Sequence, residues 1–222
     1  MGIGQGSTDG KQAMLDWSDG VPVARRFDDP YFSLDSGMAE TAHVFLSGND
    51  LPARLRPGFH VAELGFGTGL NALMLARATA HPIRLTSFAA YPMAAADMAR
   101  ALAAFPELGD LAAALVAAWP SRHLSIGLLK VEIIEGDARQ TLPDWQGRAD
   151  AWFLDGFSPA KNPELWGADL MAEVARHTVP GGTFATYTAA GHVRRALADA
   201  GFAVERVPGY GRKRHMTKGI LR

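Results

Sequence analysis

No cysteine occurs anywhere in the 222 residues, which excludes disulfides, zinc–thiolate sites and thiol catalysis and removes any argument for an oxidising compartment. An excess of charge is missing too. Lys and Arg number 22 against 23 Asp and Glu, a net charge of -1, so a protein that holds nucleic acid by its overall field is excluded and only a local basic patch is left for that role. No apolar run approaches the roughly 18 residues of a membrane span. The opening stretch, Met1 to Gly10, has neither the basic nor the apolar region of a secretion signal. His43, His60, His81 and His123 show no ligand spacing, so no metal is expected. The expectation is a cytoplasmic protein with neither membrane nor metal attachment.

What is present points to a folded enzyme-like core. Hydrophobic residues make up 48% and charged residues 20%, a globular balance that sets aside disorder and coiled coil. Residues 1–20, Gly- and Ser-rich at their start, read as a flexible leader. Residues 21–58 read as an N-terminal extension in which Val21 to Arg26 and His43 to Leu46 are short strands. From Phe59 to the C-terminus short apolar runs alternate with helical stretches, the pattern of a parallel sheet with crossover helices. Strands are predicted at Phe59–Leu64, Ile83–Ala89, Leu129–Glu135, Ala149–Leu154 and Thr183–Thr188, with a C-terminal pair near Phe202–Val207 and Met216–Leu221. The predicted fold is α/β, a doubly wound, mostly parallel sheet of seven strands over residues 59–222.

The first strand runs into Glu63-Leu-Gly65-Phe66-Gly67-Thr68-Gly69-Leu-Asn71 and opens a helix. Glycines at such a turn let backbone approach a ligand at the helix N-terminus. A dinucleotide site has G-x-G-x-x-G, whereas Leu70 stands at the third glycine position here and an acid, Glu63, precedes the first. That spacing favours S-adenosylmethionine, whose amino-acid end needs amides for its carboxylate and an acid near its cationic part. Ligands of doubly wound sheets sit at the carboxyl ends of the strands, so strand-end acids carry the rest of the information. The second strand ends in Ala89-Ala90, where a ribose-binding acid is expected. The third ends in Gly136-Asp137-Ala138, placed either to contact adenine or to cap the next helix.

The fourth strand ends in Asp155-Gly-Phe157-Ser-Pro-Ala-Lys161-Asn162-Pro. Methyl transfer to an amine needs a nitrogen lone pair held in line with the methyl group, so a carboxylate that orients the amine and takes its proton is required. Asp155 is the candidate. Phe157 is suited to stack on a planar acceptor, with Lys161 and Asn162 as polar contacts. Near the C-terminus, Gly211-Arg212-Lys213-Arg214-His215 reads either as a phosphate-binding loop for RNA or as an ordinary solvated loop.

Several strings together resemble the methyltransferase domain of the bacterial bifunctional tRNA-modifying enzyme MnmC, also found alone as MnmD. They are Arg26-Phe-Asp-Asp-Pro-Tyr-Phe-Ser, Glu40-Thr-Ala-His-Val-Phe-Leu-Ser-Gly-Asn, the glycine turn, Asp150 to Pro163 and Gly211-Arg-Lys-Arg. The resemblance implies a class I methyltransferase fold, S-adenosyl-L-methionine as donor, and the 5-aminomethyl group of a tRNA wobble uridine, often 2-thiolated, as acceptor. It further implies that Tyr31 lies near the donor and that the turn residues with Asp137, Ala138 and Asp155 hold it. Phe157 then meets the base, and Arg212, Lys213 and Arg214 meet tRNA phosphates. Since the bifunctional form's oxidase half has no counterpart in these residues, a separate FAD-dependent or other enzyme is expected to supply the aminomethyl precursor. Ala89-Ala90 departs from the family, which has Glu in this run. The rival readings are an interaction module with impaired donor binding and a small-molecule amine N-methyltransferase.

Overall fold

The computed structural model describes residues 12–33 and 37–222. Among them the chain begins with a small antiparallel sheet of β1 (Leu15–Ser18), β2 (Val21–Ala24) and β3 (Asp29–Pro30). The tight β1–β2 connection is carried by Asp19 and Gly20, both at positive φ, 49° and 83°, where Asp and Gly are the tolerated residues. Of the leader expected over 1–20, residues 1–11 lie outside the described residues, and the rest contains β1, so that part is structured. Alternation is the reason: Leu15 and Trp17 pack inward on the core while Asp16 and Ser18 face out.

His43 to Leu46, expected as a strand, is helical. Helix α1 (Gly37–Thr41) continues directly into a π-type turn, Ala42–Leu46. A four-residue apolar run has no period of its own, and here Val44, Phe45 and Leu46 all turn into the core. The side chain of Asn49 then bonds back to the Phe45 carbonyl at 3.0 Å and across to that of Trp152 at 3.2 Å, tying the extension to the sheet.

The central sheet is built from β4 (His60–Leu64), β5 (Ile83–Ala89), β6 (His123–Ile126), β7 (Leu129–Glu135), β8 (Ala149–Leu154), β9 (Thr178–Thr186), β10 (Phe202–Pro208) and β11 (His215–Leu221). Their order is β10-β11-β9-β8-β4-β5-β7-β6. The core from β9 to β7 is parallel, while β11, β10 and β6 are antiparallel additions at the edges. The described sheet therefore has eight strands rather than the expected seven. The extra one, β6, is a four-residue edge strand with alternating exposed and buried residues, too short and too polar to stand out from the loop before it.

Crossover helices α2 (Leu70–Ala78), α3 (Ala95–Leu102) and α4 (Gly109–Ala118) cover one face, and α5 (Ala138–Asp144), α6 (Ala168–Arg176) and α7 (Gly191–Asp199) the other. Strands buried on both faces read as continuous apolar runs, and β4 and β8 divide their side chains between the two cores accordingly. Val61, Ala151 and Phe153 join the first, whereas Ala62, Leu64, Trp152 and Leu154 join the second. Among the described residues no single helix is long and apolar enough to cross a membrane.

Candidate active site

Strand β4 has β5 on one side and β8 on the other, so the connections diverge at its carboxyl end, the switch point where doubly wound sheets bind ligands. A cavity of about 1700 Å³ opens there. Its floor is the glycine turn. Gly65 (φ +93°) passes so close to β8 that a Cβ would run into the Asp155 carbonyl oxygen, and at Gly67 (φ +56°) a Cβ would come within 3.3 Å of the Tyr31 ring. Backbone thus lies bare to the cavity at Gly65, Phe66, Gly67 and Thr68, with Tyr31 opposite.

Two expected members of the turn are not on this wall. Gly69 is packed against Leu115 and Phe66, so it serves the approach of α2 to α4. Glu63 has no exposed surface. Both of its oxygens are used inside the protein, Oε2 by the Ser87 hydroxyl at 2.6 Å and Oε1 by the Asn71 amide at 2.9 Å. The acid before the glycines is therefore not a direct ligand contact; it acts through Asn71.

Asn71 joins two carboxylates. Its Nδ2 donates to Glu63 and also to Asp155 Oδ2, at 2.7 Å, while its carbonyl accepts from the Thr41 hydroxyl at 3.0 Å. An amide has two N–H donors and one carbonyl, so every group of this side chain is engaged and its orientation is fixed. Burial pushes Glu63 up to about 8, with Asp155 adding to the rise and the bonds from Ser87 and Asn71 opposing it. Asp155, half-buried, is pushed by burial to about 6, opposed by the bond from Asn71 and by the charge of Lys213. Two carboxyls with separated proton affinities take different forms at one pH. Burial thus favours the protonated form more strongly at Glu63 than at Asp155, which faces the cavity.

Of the two roles the sequence left open for the β7 end, the structure shows the cap, and it places the residue on the cavity wall. Asp137 caps α5, accepting from the Arg139 N–H at 2.9 Å, and lines the cavity beside Ala138. Hydrogen bonding to the Arg139 side chain holds its carboxyl below the ordinary value. At the β5 end Ala89, Ala90 and Tyr91 form the wall, with the Arg26 guanidinium 5.0 Å from the Tyr91 ring centre. That corner carries positive charge and no carboxylate of its own strand.

Phe157, Lys161 and Asn162 all line the cavity, and the first two have further contacts within the protein. One face of the Phe157 ring is stacked on Phe27, with centroids 4.7 Å apart, and Tyr31 meets it edge-on at 5.1 Å. A planar acceptor therefore meets an aromatic cluster rather than a lone ring. Lys161 is turned to the N-terminal sheet, where it binds Asp28 and lies 4.0 Å from Asp29. The Ser158 N–H donates to Asp29 at 2.8 Å. Lys161 is thus a fastener for β3, because that strand packs across the loop; Asn162 lines the cavity free of this role.

The C-terminal basic run is split. Arg212 and Lys213 reach the cavity wall and Arg214 does not. Lys213, though exposed, is engaged within the protein: its Nζ pairs with Glu40 at 2.6 Å and lies 4.0 Å from the centre of the Tyr187 ring. Arg214 groups instead with Arg194 and Arg206 around His215, whose proton affinity burial and these charges lower. Sequence reasoning missed Thr41, Glu40 and Tyr187. Tyr187, whose hydroxyl donates to the Gly156 carbonyl at 2.6 Å, follows the end of β9 and was open to the same strand-end rule that found Asp155. Among the described residues no group of three or more His, Asp or Glu is placed to hold a metal.

Sheet order, cavity position and glycine floor are those of a Rossmann-like methyltransferase. A family model described as S-adenosyl-L-methionine-dependent methyltransferase matches residues 106–222, and the chain belongs to that family. It is 45% identical over 231 residues to the Pseudomonas aeruginosa protein named tRNA 5-methylaminomethyl-2-thiouridine biosynthesis bifunctional protein MnmC, covering 96% of this chain and 35% of that one. A Stutzerimonas stutzeri protein of the same name is also 45% identical, over 230 residues, with 95% and 35% covered. The chain thus spans about a third of the length of the curated relatives it matches. Among solved structures, MNMC2 from Aquifex aeolicus superposes with a TM-score of 0.75 at 25% identity, covering 97% of this chain and 72% of that one. The amino pentose methyltransferase CalS10 from Micromonospora echinaspora, bound to S-adenosylmethionine, shares the fold, with a TM-score of 0.52 at 14% identity and coverage of 86% and 92%. The donor is S-adenosyl-L-methionine.

Proposed function

We propose that this chain N-methylates the 5-aminomethyl group of (2-thio)uridine at the tRNA wobble position, giving 5-methylaminomethyl-(2-thio)uridine. The observation that carries the reading is Asp155, a carboxylate held by Asn71 at the cavity floor beside the aromatic cluster of Phe157, Phe27 and Tyr31. The likeness to proteins named for 5-methylaminomethyl-2-thiouridine biosynthesis supports the same acceptor. Residues 59–222 are the methyltransferase core, and residues 21–58 complete the acceptor side of its cavity. tRNA as substrate places the work in the cytoplasm.

The glycine floor fits the donor: bare backbone at Gly65 to Thr68 receives its amino-acid end, and Asp137 with Ala138 lies where the adenine is bound. Bound S-adenosyl-L-methionine supplies a methyl group whose carbon–sulfur bond breaks, the electron pair going to sulfur, as the bond to the amine nitrogen forms. Asp155 accepts the proton that frees the amine lone pair and passes it to water. Asn71 fixes the carboxylate so that its free oxygen faces the acceptor. Phe157 and Tyr31 wall the base, and Arg212 lies at the rim toward the phosphates. The test is nucleoside mass analysis of tRNA carrying 5-aminomethyluridine after incubation with protein and donor. A gain of one methyl on the wobble nucleoside is expected; methylation of a free polyamine in its place would transfer the protein to the small-molecule class.

A further inference from the structure

Lys213 and Glu40 come from opposite ends of the chain and meet over the acceptor side of the cavity. Glu40 lies in α1 and Lys213 in the β10–β11 loop, 173 residues apart, with Nζ and Oε1 at 2.6 Å. The ammonium is also seated 4.0 Å from the Tyr187 ring centre. Tyr187 in turn is anchored by its hydroxyl on the carbonyl of Gly156, the residue after Asp155. Lys213 is therefore held from two sides on the wall of the cavity that Asp155 also lines, and a long flexible side chain so fixed is a charge with a position. Nothing in the proposed binding of donor or phosphates uses either residue.

Resting on the methyltransferase reading above, we infer that the Lys213–Glu40 pair sets the charge of the acceptor site. Lys213, seated on the Tyr187 ring, keeps Asp155 ionised and so able to take the amine proton, and the Glu40 charge offsets part of its effect. Proton balance is simple: the ammonium form of the acceptor gives one proton to the Asp155 carboxylate and becomes the neutral amine. A fixed cation nearby also disfavours the ammonium form that has no lone pair, by like-charge repulsion in a partly dry site.

The surroundings of Asp155 support the assignment. Burial raises its proton affinity most; the Asn71 bond, the Lys213 charge and the Gly156 N–H lower it, and Glu40 raises it. Glu63 of β4 stands behind Asn71 and is the carboxyl whose protonated form burial favours more strongly. Tyr187, beyond β9, is pushed upward by burial and by Asp155, Asp29 of β3 and Glu40, so it stays neutral. Tyr31 is pushed up to about 12 by burial and is neutral as well. Lys161, on Asp155's own loop, is taken up by Asp28 and Asp29. Lys213 is the one cation acting on Asp155 among these described groups.

The two partners act on Asp155 with opposite sign, and the test uses this. Carboxyl carbon NMR titration of the free protein, with Asp155 assigned through Asp155→Asn, is compared for Lys213→Met, Glu40→Gln and Lys213→Arg. Lys213→Met should raise the Asp155 midpoint and Glu40→Gln lower it, each by roughly half a pH unit or more, as for unit charges a few ångströms apart near water. Lys213→Arg should leave it near the native value. In the tRNA methylation assay the acid limb of the rate should move in the same two directions. A merely structural bridge is broken equally by both neutral substitutions, so shifts of the same sign, or none, overturn the inference. The titration needs no acceptor: opposite shifts with no tRNA methylation by the native protein would uphold the charge setting and reject the proposed function. Methylation with an unmoved midpoint would do the reverse.

Discussion

Nδ2 of Asn71 lies 2.7 Å from Oδ2 of Asp155, so the side chain that opens helix α2 aims the carboxylate that ends β8. Asn71 also serves Glu63 and Thr41, and its replacement by Ala leaves two carboxyls and a hydroxyl short of partners. Removing one partner of a buried polar group costs about 1–3 kcal/mol. Asn71→Ala should therefore lower unfolding stability by at least that range. It should also move the acid limb of methylation upward, since the Asn71 bond holds Asp155 down. Denaturant titration and a pH–rate profile check both effects.

Glu63 gives a pH dependence of stability with a defined sign. Its ordinary value of 4.5 is raised to about 8 in the folded protein, so folding favours the protonated form. Its stabilising contribution is complete below 4.5 and is lost as pH rises through about 8. Asp155 shifts in the same sense but only up to about 6, and His60, pushed down by burial to about 4, contributes the opposite slope up to its ordinary 6.5, which leaves the window from about 6.5 to 8 to Glu63. Stability there should fall with a slope approaching about 1.4 kcal/mol per pH unit. Glu63→Gln, neutral and able to bond both Asn71 and Ser87, should flatten the profile between about 6.5 and 8; an unchanged slope would place Glu63 as an ordinary carboxylate.

The parallel core was legible because β4, β5 and β8 are largely apolar and β7 alternates Leu129, Val131 and Ile133 inward, each bounded by turns, and the glycine spacing with the strand-end rule located the cavity and Asp155. What escaped was whatever depends on the fold rather than on neighbours in sequence. Glu63 sits two residues before Gly65, yet whether it faces ligand or core is decided by Ser87 on β5 and Asn71 on α2. Lys213 reads as one of three like charges, and only the fold brings it to Glu40. The segment His43 to Leu46 was misread for the opposite reason: its apolar run fits strand or helix, and packing beneath the sheet chose the helix.

The corner formed by Ala89 and Ala90 lacks a carboxylate for the donor ribose. A charge-assisted hydrogen bond is worth about 1.5–3 kcal/mol, so Ala89→Glu should tighten S-adenosyl-L-methionine binding roughly tenfold or more by the 1.4 kcal/mol per decade rule. Calorimetric titration of both proteins reads this directly. Equal or weaker binding by the variant would remove that position from ribose recognition.

The split of the basic run predicts separate phenotypes. Arg212→Ala with Arg214→Ala should lower the slope of log tRNA affinity against log salt by up to about 1.4–1.8 units, at roughly 0.7–0.9 per phosphate contact, with donor affinity unchanged. Affinity measured at several salt concentrations checks it. A double variant with the native slope would return both residues to the solvated surface.

The central claim is that Asp155 handles the proton of a tRNA amine in this cavity. Single-turnover conversion of 5-aminomethyluridine to its methylated form, followed by nucleoside mass analysis at neutral pH for the native protein and Asp155→Asn, tests it most directly, with donor affinity measured alongside. The account predicts a methylated wobble nucleoside from the native protein, a rate at least tenfold lower in the variant, equivalent to about 1.4 kcal/mol, and donor affinity within about threefold of native, or ~0.7 kcal/mol. A variant as fast as the native protein, or one whose rate loss is matched by its loss of donor binding, would contradict it.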